Sequence, residues 1–331
     1  MYLAYIGYAM IAVLMALIIS KRMSAFAALI IVPLVFGVIA CLASGMPILD
    51  MGDFIVDSTK GMASNFSMIF FAIVFFGIMI STGLFDPLVN TVVRLVKGDP
   101  LKVMVGTSIM TACVALDGDG TITYIICCTA MLPVFERLKM NKLYMAVAML
   151  MQVTIMNNLP WGGPTARIIA VCNLGADEIA AALAPGMIAG VIFNVCVSAY
   201  LGLKERKRLG IVDIEHQAHA VELSEAEQAL RRPKLVLVNL ALTIAAVVIM
   251  ILGIFPSNAT FGTAAALALA INYHTLKDQQ NMIQEHGSES IQVISLILAA
   301  GVLMGVLDGT GISDAMAIHM TQLVPPSLGN H

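Results

Sequence analysis

The chain has 331 residues, 59% of them hydrophobic and 12% charged, with a formal net charge of −3 and a mean hydropathy of +0.91. A soluble domain carries roughly 25% charged residues, so a soluble globular protein and a nucleic-acid binder are excluded and an all-α polytopic membrane protein is expected. In such a protein the charge of each loop matters, not the sum.

A membrane-crossing helix needs about 20 mostly apolar residues. The stretch 2–20 satisfies this, lacks a clear cleavage site and is followed by another apolar span, so it reads as a mature helix, not a signal peptide. Spans at 25–44 and 66–85 follow, with Asp50, Asp53 and Asp57 expected to be solvated in the outer loop between them. The stretch 101–134 is apolar on both sides of LDGDG, with Arg94, Lys97 and Lys102 before it and Arg137, Lys139 and Lys142 after it. It reads as a re-entrant hairpin with LDGDG at the tip; the alternative is one long broken span. A second interrupted span runs over 142–158 and continues into 166–174, and 179–203 follows. The segment 204–233 has mixed charge at helical spacing and reads as a solvated cytoplasmic linker between two halves. His216 and His219 fit that solvated face better than a metal or pH-sensing site. Further spans are expected at 234–254, 257–275 and 291–311. Cys41, Cys113, Cys127, Cys128, Cys172 and Cys196 all lie in apolar stretches and read as core residues, as do most of the 23 methionines.

Basic residues concentrate on the cytoplasmic side of membrane proteins. With Lys21 and Arg22 inside and 101–134 as a hairpin, all 18 Lys and Arg fall inside except Lys60, outside, and Arg167, within the membrane. Treating 101–134 as a single crossing puts the cluster KERKR (204–208) outside, so the bias favours the hairpin.

Two stretches share the pattern G-x-x-x-x-T-G-x-x-D. Gly77, Thr82, Gly83 and Asp86 in the first match Gly305, Thr310, Gly311 and Asp314 in the second. The first ends a span running inward and the second ends one running outward, which is the relation expected of an inverted repeat. Residues 1–203 then form a first repeat, 204–233 a linker, and 234–331 the opening of a second repeat. At this spacing the partners of the two breaks would lie beyond about residue 340, so the second repeat is expected to be incomplete, with a truncation at the C-terminus.

The chemistry concentrates in two polar, glycine-rich breaks: LDGDGT (116–121) and NNLPWGGPTAR (157–167). Unpaired backbone groups are costly in hydrocarbon, so broken helices persist only where protein or a water-filled cavity covers them. Ionisable residues at such depth are functional-site candidates. Gly118 and Gly120 let the backbone turn tightly and approach a ligand. Asp117 and Asp119 could take a proton, bind a hard cation, or cap the helix that follows; Thr121 and Thr123 offer hydroxyls beside its start. In the second break Pro160 and Pro164 interrupt the helical ladder, and Gly162 and Gly163 allow an unwound stretch. The amides of Thr165, Ala166 and Arg167 then form a small positive pole for an anion. Asn157 and Asn158 supply amide groups, and Arg167 would hold a carboxylate by its fork or pair with an intramembrane acid. Trp161 is either a wall of the site or a packing residue. Asp86, Asp308 and Asp314 lie at span ends and read as helix caps. No nucleophile–base pair or ligand-spaced histidines occur; His274, His286, His319 and His331 are placed near loops or ends, so an enzyme is not expected.

FFGIMISTGLFDPLV (75–89), VKGDPLK (96–102), LDGDGTITY (116–124), NNLPWGGPTAR (157–167) and KERKRLG (204–210) resemble the bacterial citrate–divalent metal–proton symporters (the CitMHS type) of the ion transporter superfamily. The resemblance implies an inverted-repeat secondary transporter in the bacterial inner membrane. It implies uptake of citrate as a complex with a divalent cation, of the magnesium or calcium type, driven by protons and with no permanently bound cofactor. It also implies a homodimer in membrane lipid, with a scaffold region and a moving transport region. Asp117 and Asp119 would serve the metal or the proton. Gly118, Gly120, Thr121 and Thr123 with Asn157, Asn158, Trp161, Gly162, Gly163, Thr165 and Arg167 would hold the carboxylates. The alternatives are a carrier for another organic acid, an ion antiporter of the same superfamily, or a non-transporting fragment, because family members continue further at the C-terminus.

Overall fold

The computed structural model describes residues 2–96, 98–118, 120–172, 175–211 and 225–323. Every regular element among them is a helix: α1 (Tyr2–Ile19), α2 (Ala25–Ser44), α3 (Asp50–Gly61), α4 (Ala63–Ser81), α5 (Asp86–Val96), α6 (Pro100–Val114), α7 (Gly120–Arg137), α8 (Lys142–Met156), α9 (Gly163–Cys172), α10 (Ala176–Leu209), α11 (Glu225–Leu230), α12 (Val236–Ile251), α13 (Ser257–Asn272), α14 (Leu276–Gly309) and α15 (Ile312–Leu323). Six helical stretches among the described residues are long and apolar enough to cross a membrane: Tyr2–Ile19, Ala25–Ser44, Ala63–Ser81, Glu178–Leu209, Gln228–Ile251 and Ser290–Gly309. The protein is therefore an all-α polytopic membrane protein. Helices satisfy their own backbone, which an apolar solvent demands.

The LDGDG region is a helical hairpin, not one broken span. α6 and α7 pack against each other and are joined by a 3₁₀ turn at Ala115–Asp117 and by Gly118, at φ +79°. At 15 residues α6 is about 22 Å long, short of a hydrocarbon core about 30 Å thick. Asp99 caps its start by accepting from Leu101 N at 3.1 Å, with Pro100 in the first turn.

The structure adds order where loops were expected. The outer loop with Asp50, Asp53 and Asp57 contains α3, which buries Met51 against Cys41 and Val306. Asp57 pairs with Lys60 at 3.1 Å on its exposed face. KERKR completes the last turns of α10, where cations suit the negative helix end. The span expected at 291–311 is found at Ser290–Gly309, within a helix that already starts at Leu276 and is followed by α15. His216, His219 and His331 lie outside the described residues.

Two compact units make up the protein. The first comprises 1–66, 167–174 and 291–331. Its core sets Met10 and Leu14 of α1 against Ala28 and Val32 of α2, with Leu303 and Leu307 of α14 alongside. Gly305 lets α14 approach α3: a Cβ there would stand 2.7 Å from Ile55 Cα.

The second unit comprises 67–166 and 175–290 and holds both breaks. A polar knot lies inside its packed helices α6, α8 and α10. Asn194 Nδ2 donates to Gln152 Oε1 at 2.7 Å, to Ser108 Oγ at 3.1 Å and to Ala148 O at 3.0 Å. Elsewhere in the unit Asn239 and Asn272 exchange amide hydrogen bonds at 3.0 and 2.9 Å, joining α12 to α13. Thr82 is tied into that pair by Asn239 Nδ2 at 3.2 Å. Arg232 continues the tie, donating from its amide to Thr82 O and from Nε to Asn272 O, both at 2.9 Å.

The two T-G turns share a left-handed glycine and differ beyond it, the next helix starting at Asp86 in one and at Ile312 in the other. Gly83 and Gly311 are both left-handed, at φ +81° and +73°. The amides of Thr82 and Thr310 close helical bonds to Ile78 O and Val306 O, and each turn leads into a short helix, α5 or α15.

Leaving a buried polar partner unpaired costs about 1–3 kcal/mol. Asn194→Ala strips from the fully buried Gln152 Oε1 its shorter donor, at 2.7 Å, leaving only Ser108 Oγ at 3.4 Å, and should lower the thermal midpoint of the detergent-purified protein by several degrees. Ser288→Ala, on an exposed part of α14, should leave it unchanged. Equal midpoints for all three proteins would contradict the polar knot.

Candidate functional site

The hairpin tip and the second break pack directly on each other. A Cβ at Gly118 would lie 3.0 Å from Trp161 Cδ1 and 3.2 Å from Gly162 Cα. Only glycine at 118 combines its left-handed φ with that approach. Trp161 Nε1 donates to Leu116 O at 2.8 Å, so a side chain of one break satisfies a backbone carbonyl of the other.

Trp161 is 2% exposed and is held on two further sides. It stacks on Phe76 of α4 with ring centroids 5.0 Å apart and meets Phe261 of α13 edge-on, also at 5.0 Å. Both spacings are those of favourable aromatic pairs. Its role is therefore packing combined with one directed hydrogen bond. Below the tip, Ala115, Val153 and Met156 form a buried cluster with Leu116, Tyr124 and Leu159 around them. At Gly120 a Cβ would come 3.0 Å from Val153 Cγ1, so glycine also fits where α7 starts.

The second break is tightly folded. Asn157 N still closes α8 through Val153 O, and Gly162 N returns to Leu159 O at 2.8 Å. A Cβ on Gly162 would collide with Asn157 O. Thr165 is buried, and its Oγ1 reaches Asn157 O at 3.4 Å. Asn158 is exposed and spends its Nδ2 on its own helix, bonding Thr154 O at 2.9 Å and Ile155 O at 3.2 Å. Among the described residues no atom lies within 4 Å of where a Cβ on Gly163 would stand. Thr123 is buried on α7. Asp119 and the side chains of Asp117, Thr121 and Arg167 lie outside the described residues.

The arrangement has a clear electrostatic sense. Helices α7 and α9 both begin at these breaks, and the first turn of a helix leaves its amides without intrahelical partners. Those amides favour an anion. The sequence places two aspartates, Asp117 and Asp119, in the tip.

Other candidates make local contacts of their own. Asp86 opens α5 and pairs with Arg231 at 3.3 Å, while Arg231 Nη1 donates to Ile80 O at 2.5 Å. Burial pushes the Asp86 carboxyl above its ordinary value, and the Arg231 guanidinium partly offsets this. Asp308 Oδ1 accepts from Ser313 Oγ at 2.7 Å, and Asp314 lies in the first turn of α15. His286 corrects an expectation: it is buried within α14, not near a loop, with its ring against Gly77 and Nε2 3.0 Å from Ser81 Oγ. Phe76, Phe261 and the Ser108–Gln152–Asn194 knot were not singled out by the sequence. A lone Gln and Asn within apolar helices were the available signal; nothing marked the two phenylalanines among 13.

The family model for citrate transporters (CitMHS) matches residues 9–329. Three curated relatives come from Bacillus subtilis (strain 168). A "Citrate transporter" is 43% identical, a "Mg(2+)/citrate complex secondary transporter" 40%, and an uncharacterized transporter, YraO, 38%. Each match covers 99% of the present sequence and 75% of the relative.

Two substitutions separate the roles of the breaks. Trp161→Phe keeps the aromatic stack but leaves Leu116 O without its donor, at a cost of about 1–3 kcal/mol; it should fold, and transport should fall several-fold. Gly162→Ala, which collides with backbone, should abolish transport or folding outright. Wild-type transport by Trp161→Phe would show that the cross-break hydrogen bond is dispensable.

Proposed function

The chain belongs to the citrate transporter family and carries citrate across the membrane; we propose that the transported species is a citrate–divalent cation complex and that protons drive its uptake. It is a multi-pass protein of the bacterial inner membrane, a transporter and not an enzyme. The observation that supports the finer reading is the packing of the hairpin tip onto the second break, which joins a diacidic loop to two helix starts.

In this reading Asp117 and Asp119 receive the cation, Mg²⁺ or Ca²⁺, which is cargo and not a resident cofactor. The amides at the starts of α7 and α9, with Gly118, Gly120, Thr121, Thr123, Asn157, Gly162, Gly163 and Thr165, receive the carboxylates. Arg167 holds one carboxylate by its fork. Asn158 contributes through its carbonyl oxygen, an acceptor for the cation or for a protonated carboxyl, since its amide nitrogen serves α8. Trp161 positions the tip and need not touch the substrate. A cation cancels most of the charge of a tricarboxylate, and protonation cancels the rest, so the complex enters a low-dielectric site at far lower desolvation cost than free citrate.

We read the two T-G turns as equivalent ends of an inverted repeat, with 1–203 and 234–331 belonging to its two halves and 204–233 linking them. The resemblance also supports a homodimer. The relative that carries the Mg(2+)/citrate complex supports the metal-bound substrate.

Radiolabelled citrate uptake into inverted or right-side-out vesicles tests this. Uptake should require Mg²⁺ or Ca²⁺, stop with EDTA, and fall when the proton gradient is collapsed. Asp119→Asn should lower it at least about tenfold, as loss of a metal-orienting group does. Equal uptake with EDTA would overturn the metal complex, and insensitivity to an uncoupler would overturn the proton coupling.

A further inference from the structure

A second polar concavity lies well apart in sequence from the two breaks, at the end of the second unit where α7 stops, α8 starts and α10 stops. It is a cleft of about 440 Å³ lined by Lys139, Asn141, Tyr144, Lys204, Glu205 and Arg208. We propose that this cleft binds the phosphodiester headgroup of an anionic phospholipid.

The cleft is built, not merely charged. Lys139 ends α7 in a left-handed conformation, φ +55°, which turns the backbone sharply toward Asn141, the N-cap of α8. Glu205 is almost fully buried and organises the floor: it accepts from Asn141 N at 3.0 Å and from Arg208 Nη2 at 2.5 Å. Arg208 Nη2 also reaches Lys139 O at 3.0 Å. The single acid is thus consumed by Arg208 and a backbone amide. Among the described residues neither Lys139 nor Lys204 has an ion pair, and Lys204 Nζ is held 5.8 Å from the centre of the Tyr144 ring. Two ammonium groups therefore line a cleft that also offers a tyrosine, and the one acid of that lining, Glu205, attracts Lys204 while it is bonded to Arg208 and Asn141 N.

The surroundings select a lipid over a soluble anion. Large apolar side chains are exposed on the same two helices. On α8, Leu143, Val147 and Leu150 are exposed at helical spacing, beginning one residue before the cleft's Tyr144. On α10, Phe193 and Tyr200 are exposed, and Tyr200 lies one turn before Lys204. A headgroup in the cleft would place its acyl tails along these stripes. Basic pockets at helix ends on the positively charged side of a membrane protein suit such headgroups, and a neighbouring tyrosine suits the interface.

The test is native mass spectrometry of the full-length protein in detergent, titrated with phosphatidylglycerol, phosphatidylcholine or inorganic phosphate. Wild type should bind phosphatidylglycerol more tightly than phosphatidylcholine and should not retain phosphate. The double variant Lys139→Gln, Lys204→Gln should weaken phosphatidylglycerol about 25-fold, at about fivefold per lysine, and should leave phosphatidylcholine unchanged. Lys277→Gln, on α14, should behave as wild type, which separates this cleft from general surface charge. Equal affinity for the two lipids, or an unaltered affinity in the double variant, overturns the proposal. Phosphate binding that matches phosphatidylglycerol overturns it in favour of a soluble anion.

Discussion

The hydrogen bond from Trp161 Nε1 to Leu116 O is the constraint on which the rest of the candidate site depends. A helix broken inside a membrane protein must find partners for the carbonyls and amides it releases. The hairpin tip cannot supply all of its own, because its turn is only a few residues long. The second break cannot either, because its prolines lack the donor that a helix would use. Each break is stabilised by the other. Phe76 and Phe261 fix the indole so that its N–H points at one carbonyl, and the glycines at 118 and 162 allow the two backbones to meet.

That mutual support shapes the chemistry available. In the proposed reading the helix starts at the two breaks offer a positive pole without a mobile side chain, and the diacidic sequence of the tip offers a negative one. On that proposal a metal-bound carboxylate would present both signs at once, whereas a free polycarboxylate or a bare cation would match only half of it. The helices around the site keep the arrangement rigid by unusual means for an apolar bundle, through buried amides. The Ser108–Gln152–Asn194 knot locks the hairpin arm α6 to α8 and α10. The Asn239–Asn272 pair and Arg232 clamp the T-G turn that ends α4. Small-residue and amide contacts of this sort are the available adhesive where lipid is as apolar as leucine.

Much of this was legible from residues alone. The spans followed from apolar length, and the hairpin followed from basic residues on both its flanks. The breaks announced themselves because Gly, Pro and Asp are expensive in hydrocarbon. What the sequence could not express was partnership. Trp161 was ambiguous between wall and packing because its neighbours Phe76 and Phe261 are remote in sequence. The sequence could not show that the Asn158 amide nitrogen bonds Thr154 O and Ile155 O of its own helix. His286 seemed peripheral because the residues before it are polar, yet α14 continues through them and buries its ring against Gly77. The helix α3 was hidden for the reverse reason: its acids suggested a solvated loop, while only Met51 and its packing on α14 reveal the buried side. The matching of the two T-G turns was visible as a pattern, and the shared left-handed glycines give it a physical cause.

The central claim is that both breaks face one bound substrate, and Gly163 offers the most direct way to examine it, because a side chain there meets open space. The measurement is labelling of Gly163→Cys by a water-soluble maleimide, in protein whose six native cysteines are replaced by alanine. The account predicts strong protection by citrate together with Mg²⁺, little by either alone, and loss of protection when Asp119→Asn is added. A labelling rate unchanged by the metal–citrate complex, in protein that still transports it, would contradict the account.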